Sequence, residues 1–172
     1  VCSSDLLTID GGRTWQNDGT VTMTSTTNIN LNPSNSGANS GVAGHIVNNG
    51  TFDIQSDAGT TFFTAVGGPG TITNALGGVW RKSVETGTST IFGVFDNAGT
   101  VDIQTGTLRL SGGGSSSGDF NIATGATVDF NASTFGINGG AVTSPGRVLI
   151  SGGTVNLNTQ YAIAGLTELT GG

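Results

Sequence analysis

Short runs in which apolar and polar residues alternate recur along the whole chain, separated by stretches rich in Gly, Asn and Ser. Asn17 opens NDGTVTM, Asn48 opens NNGTFDI and Asn97 opens NAGTVDI. Looser copies fit the same frame: PGTITN from Pro69, SGDFNI from Ser117, PGRVLI from Pro145 and AGLTEL from Ala164. Strict alternation sends successive side chains to opposite faces, and Thr, Val and Ile suit a half-buried pleated surface, so each copy predicts a strand. No segment repeats apolar residues at i, i+3, i+4 and i+7 over a useful length, so no helix is expected.

The first apolar residue of each copy gives Val21, Phe52, Ile72, Val101, Phe120, Val148 and Leu166, with steps of 31, 20, 29, 19, 28 and 18 residues. Long and short steps alternate, which predicts a two-coil super-repeat of about 48 residues. A second alternating run follows in most copies: TTFF (Thr60 to Phe63), GVWR (Gly78 to Arg81), TLRL (Thr107 to Leu110), TVDF (Thr127 to Phe130) and TVNL (Thr154 to Leu157). Strands this short are unstable as isolated hairpins. Stacked coil on coil, each pairs with its equivalents above and below at about 4.8 Å.

The predicted fold is therefore all-β: a β-solenoid, read as a right-handed single-stranded parallel β-helix of about seven coils, on the order of 34 Å long by strand spacing. The expected inward column is the apolar set above. Met23, Ile54, Asn74, Ile103, Ile122, Ile150 and Glu168 lie two residues on, with Glu168 expected in a fraying last coil. Thr22, Asp53, Thr73, Asp102, Asn121, Leu149 and Thr167 should face solvent. An antiparallel sandwich or barrel also uses short strands and Gly-rich turns, but it does not require recurrence at a fixed super-repeat.

Copies such as NAGTVDIQTGTLRLSGGG and NNGTFDIQSDAGT, repeated without cysteine, resemble the β-helical passenger regions of bacterial autotransporters and filamentous-haemagglutinin-like adhesins. The resemblance covers residues 17 to 169. It implies a secreted or surface-exposed rod and carries over no functional residues.

Composition narrows the uses of such a rod. The 172 residues include 31 Gly and only five basic residues, with a net charge of −6. Nucleic-acid binding draws on clustered Lys and Arg, so a nucleic-acid partner is not expected. No apolar run is long enough to span a bilayer, and no signal-peptide pattern is visible. VCSSDL at residues 1–6 resembles a translated sequencing adapter, which would make this leader and its Cys2 non-native. Residues 7–172 are read as one solenoid domain, a fragment of a longer repeat protein. A single Cys makes neither an internal disulfide nor a Cys-rich metal site.

Candidate chemistry is thin. The only histidine, His45, stands in GVAGHIVNNG without a motif that supplies a nucleophile and an orienting acid, and is read as a strand-edge residue. SGGGSSSG (Ser111 to Gly118) lacks the Gly-Lys-Ser/Thr ending of a phosphate loop and is read as a flexible turn. In GGPGTITNA from Gly67, Ile72 occupies the place where a calcium-binding nonapeptide needs Asp. Neither cofactor nor metal is expected. Two N-glycosylation patterns, at Asn49 and Asn131, are of the kind chance produces in an Asn- and Thr-rich repeat, and TVTMTSTT does not extend into the Thr-x-Thr ladder of an ice-binding face.

Three groups remain. Asp53 and Asp102 share an outward column two coils apart, a spacing of about 9 to 10 Å that an inverting glycosidase could use. A second outward column is expected to hold Trp80, Arg109, Asp129 and Asn156 on successive coils, with Arg109 paired to Asp129 and Trp80 beside Arg109. An exposed Trp80 flanked by Arg81 and Lys82 would offer a sugar-stacking platform. The leading expectation is a structural or display rod of a secreted, cell-surface adhesin-like protein, extracellular or on a bacterial surface, without catalysis. Its partners would be glycans or host-surface molecules and neighbouring coils of the same chain, with recognition on the loop-like stretches from Leu31 and from Asn131. The alternatives are a carbohydrate-binding module and a carbohydrate-active β-helix.

Overall fold

The computed structural model describes residues 7–24, 28–31, 42–56 and 70–171. The described residues lie in short strands joined by turns, bends and irregular links, and none is helical. β1 (Leu7–Thr8) precedes the first coil, which holds β2 (Thr14–Asn17), β3 (Thr20–Met23) and β4 (Ile29–Asn30). The second coil holds β5 (His45–Asn48) and β6 (Thr51–Ile54). From the third coil on, three strands are complete: β7 (Thr71–Asn74), β8 (Val79–Lys82) and β9 (Thr88–Ile91), then β10 (Val94–Asn97), β11 (Thr100–Ile103) and β12 (Thr107–Leu110). The fifth holds β13 (Gly114–Ser116), β14 (Asp119–Ile122) and β15 (Thr127–Phe130), and the sixth β16 (Thr134–Ile137), β17 (Val142–Ser144) and β18 (Arg147–Ile150). β19 (Thr154–Leu157), β20 (Tyr161–Ile163) and β21 (Thr167–Leu169) form the seventh.

The strands stack into three parallel sheets, so the molecule is a β-solenoid of about seven turns with three faces. The first face runs β2-β5-β7-β10-β13-β16-β19 and the second β3-β6-β8-β11-β14-β17-β20. The third runs β9-β12-β15-β18-β21, and β1 pairs with β4 in a separate two-stranded sheet. A four-residue strand with alternating side chains can bury two of them. Each face thus contributes two inward columns, and together these fill a continuous core.

The repeat unit differs from the predicted one. The inward column of the second face is Val21, Phe52, Trp80, Val101, Phe120, Val142 and Tyr161. Ile72 belongs instead to the first face and Val148 to the third, while Leu166 lies in the turn before β21 and is exposed. The alternation of long and short steps arose from aligning strands of different faces. The period is one three-stranded coil: Trp15, Ile46, Ile72, Phe95, Gly114, Phe135 and Val155 share a first-face column, at steps of 31, 26, 23, 19, 21 and 20 residues. Among the described residues the stack repeats coil by coil, with no two-coil super-repeat. Glu168, expected two residues along the inward column in a fraying coil, is instead part of β21, facing outward beside Leu149 and paired with Arg147 at 2.5 Å. Thr167, expected outward, occupies the inward register position beside Val148.

The repeated asparagines have a structural purpose. Asn17, Asn48, Asn74, Asn97 and Ser116 occupy one register position at the end of successive first-face strands. Their side chains form a buried ladder. Asn17 Nδ2 donates to Asn48 Oδ1 at 2.6 Å, Asn48 Nδ2 to Asn74 Oδ1 at 2.8 Å, Asn74 Nδ2 to Asn97 Oδ1 at 2.7 Å, and Asn97 Nδ2 to Ser116 Oγ at 2.9 Å. The same amides donate to main-chain carbonyls of Thr51, Val79 and Thr100 in the following strands. A primary amide has both a donor and an acceptor, so it can repeat along the stack with every buried group satisfied.

Beside this ladder the corner must be narrow. A Cβ on Gly50 would overlap the carbonyl of Gly19, and one on Gly118 would overlap that of Gly99. This close stacking accounts for Gly50, Gly78, Gly99 and Gly118, whereas a Cβ on Gly19 would meet nothing. In the sixth coil Ile137 takes the ladder position instead.

Two stretches read as loops are strands. NASTFGINGG contains β16, whose Phe135 and Ile137 are buried in the core. SGGGSSSG contains β13, and Gly114 sits where a Cβ would overlap the Phe95 carbonyl. The leader, TTFF and the stretch after Leu31 lie outside the described residues; Leu31 itself is fully buried.

Candidate functional site

The second-face outward column carries most of the predicted chemistry. Register aligns Thr22, Asp53, Arg81, Asp102 and Asn121 on successive coils. The two aspartates are two coils apart as expected, but Arg81 lies between them where Thr73 was placed. Its Nε donates to Asp102 Oδ2 at 2.9 Å. Gln104 Nε2 donates to the same oxygen at 2.9 Å. Asp53 accepts from Ser83 Oγ at 2.7 Å and from Gln55 Nε2 at 2.9 Å. An inverting pair needs open space between its carboxyls for substrate and water. Here a guanidinium-bearing strand fills that coil, and each carboxylate is held by its own neighbours.

On the third face Arg109 and Asp129 pair as predicted, with Nε donating to Oδ2 at 2.7 Å. Asp129 is fully buried although it faces outward, because Arg109 covers one oxygen and Ser151 Oγ donates to the other at 2.5 Å. Asn131 continues the row, donating to Ser151 Oγ at 3.0 Å and accepting from Ser111 Oγ at 3.2 Å. Asn156, predicted in this column, stands on the first face beside Gly136.

Trp80 is not on the surface. It lies in the inward column of the second face, fully buried, with its ring stacked on Phe52 at 4.2 Å and edge-on to Phe95 at 5.5 Å. Lys82 is two residues further along the same strand and therefore also points inward, between Ile54 and Ile103. It is fully buried, and its Nζ donates to the Val84 carbonyl at 3.3 Å. The predicted platform thus comes apart: Trp80 and Lys82 are core, and Arg81 is an outward ion-pair partner. Alternation along VWRK carried this information, since Trp80 inward forces Arg81 outward and Lys82 inward.

His45 opens β5, as a strand-edge residue would, and its Nδ1 lies 2.6 Å from Thr71 Oγ1. Asn49 is exposed and donates to Asp18 Oδ1 at 2.7 Å. That bond, followed by one from Gln16, holds the Asp18 carboxyl below its ordinary range. Among the described residues no three His, Cys, Asp or Glu side chains come together as metal ligands, and no helix is long and apolar enough to cross a membrane.

A concavity lies at the last coil. A cavity of about 260 Å³ opens there between the three faces, lined by Phe130, Ile150, Val155, Leu157, Tyr161 and Leu169 among others. Leu157 and Leu169 are exposed at its rim, in line with columns that are buried in earlier coils. It is the open bore of the solenoid, apolar and without convergent polar groups.

The class defined by this geometry is the parallel β-solenoid repeat protein. No protein-family model, curated protein or solved structure matched the chain.

Proposed function

We propose that this chain is a mechanical or display rod, a stretch of coils from a secreted or cell-surface adhesin-like repeat protein, and that it performs no catalysis itself. One observation carries the reading: the outward groups that could have done chemistry are engaged in cross-coil contacts. Arg81 is tied to Asp102, Arg109 and Ser151 enclose Asp129, and Ser83 holds Asp53. Such contacts pin register between coils, which is what a rod under load requires. An extracellular or bacterial-surface setting fits a cysteine-poor rod of this kind. Its partners would be glycans or host-surface molecules met elsewhere along such a rod.

The test is to pull single molecules from both ends while assaying the same preparation against a panel of acidic and neutral polysaccharides. Stepwise loss of coils under force with no depolymerisation is the expected result. Depolymerisation that disappears in Asp53→Asn or Asp102→Asn would overturn the reading in favour of a carbohydrate-active enzyme.

A further inference from the structure

Two Asn-Gly pairs occur in the described chain, Asn49-Gly50 and Asn138-Gly139, at the same corner between the first and second faces. Asn-Gly is the dipeptide most open to attack of the following main-chain nitrogen on the side-chain amide, because glycine puts no side chain in the way. The two corners differ in one residue. In the second coil, Asn49 and Gly50 alone bridge β5 to β6, and the amides of both donate to the Asn17 carbonyl, at 2.8 and 3.1 Å. The fourth and fifth coils repeat this arrangement, with Gly99 donating to Asn74 at 3.2 Å and Gly118 to Asn97 at 3.2 Å.

In the sixth coil the corner is longer by one residue. Asn138 N donates to the Ser116 carbonyl at 2.7 Å, and Gly140, not Gly139, stacks over Gly118. Asn138, Gly139 and Gly140 together fill the place that Ser117 and Gly118 hold in the coil before. No described residue accepts a hydrogen bond from the Gly139 N–H. The side chains differ as well. Asn49 donates its Nδ2 to a carboxylate of Asp18, which disfavours negative charge building on its carbonyl. Asn138 is exposed, and its Oδ1 accepts from Asn158 Nδ2 at 2.9 Å, a donor placed where that negative charge would develop.

We propose that Asn138 is a site of spontaneous self-modification in the folded protein, and that Asn49 is protected from the same reaction by the two-residue corner. Solvent hydroxide removes the Gly139 N–H proton and the nitrogen forms a bond to Asn138 Cγ. The Cγ–Nδ2 bond breaks, and Nδ2 leaves as ammonia after taking a proton from water. Water then opens the cyclic imide at either carbonyl, leaving aspartate or isoaspartate. Both products add a negative charge at the corner and remove the amide that Asn158 contacts; isoaspartate also lengthens the main chain there.

The experiment is peptide mapping by mass spectrometry of the intact chain held at mildly alkaline pH in heavy-oxygen water, folded and in denaturant. Freeing the attacking nitrogen from one hydrogen bond corresponds to a rate advantage of about ten-fold. Asn138 should therefore convert about ten times faster than Asn49 in the folded protein, and the two rates should converge when the chain is unfolded. Deleting Gly139 keeps an Asn-Gly dipeptide but restores the two-residue corner, and should bring Asn138 down to the rate of Asn49. Equal rates in the folded protein, or an Asn138 rate unchanged by the deletion, would overturn the proposal. If the deletion variant does not fold, the folded and unfolded rates of the unaltered chain decide it alone.

Discussion

Phe52 and Trp80 lie on adjacent coils with ring planes 8° apart and centroids 4.2 Å apart, both fully buried. Parallel register places equivalent residues directly above one another, so two aromatic residues at one position stack face to face. Trp15 and Phe95 close the cluster edge-on, at 6.0 Å from Phe52 and 5.5 Å from Trp80. Four coils are thereby joined through one aromatic group.

Replacing Trp80 with Ala should destabilise the solenoid by about 3 to 5 kcal/mol, the usual cost of truncating a buried aromatic to alanine. A denaturant titration followed by fluorescence of the remaining Trp15 would measure it. A midpoint equal to that of the unaltered chain would place Trp80 outside the core.

Asn48→Ala should cost more than an ordinary exposed substitution, because Asn17 loses its acceptor and Asn74 its donor at a buried position. A loss of about 1 to 3 kcal/mol is expected from groups left unsatisfied. Hydrogen exchange should show the Asn49 and Ala75 amides opening first, since these donate to the ladder residues' carbonyls.

The two arginines should separate in size of effect. Arg81→Ala breaks a partly exposed pair with Asp102 and should cost about 0 to 1 kcal/mol, less at high salt. Arg109→Ala uncovers or strands Asp129, whose carboxylate is fully buried, and should cost about 1 to 3 kcal/mol. Paired melting curves at low and high salt would show whether the order holds; a larger loss at Arg81 would contradict it.

Asp18 gives a pH signature. Its carboxyl is held below the ordinary range by Asn49 first and Gln16 second, so folding favours its ionised form. That contribution is fully present above the ordinary carboxylate range and is lost as pH falls through the lowered value. In an NMR titration, Asn49→Ala should raise the Asp18 midpoint toward that of a free aspartate. An unmoved midpoint would mean the bond has no influence on the charge.

Period-two alternation made the solenoid legible in the sequence, since a strand with one buried face must write its apolar residues at every second position. Val21, Phe52, Val101 and Phe120 do share one inward column, and Arg109 does meet Asp129. Asp53 and Asp102 do occupy one outward column. These follow from local patterns that the nearest coils repeat.

Which face a strand joins was a different matter. TITN and TVDI read alike, yet one is β7 on the first face and the other β11 on the second. A strand's own residues fix inside and outside but not which of three equivalent sheets receives it; that depends on turn lengths accumulated around each coil. From this comes the misplaced super-repeat, and the surface position expected for Trp80 comes from aligning GVWR with TLRL, a strand of another face, one residue out of step. The sequence by itself determined alternation, strand content and the Asn-Gly corners. Only the tertiary stack decided that Asn17, Asn48, Asn74 and Asn97 become one hydrogen-bonded column, because that contact exists only when separate coils lie one strand spacing apart.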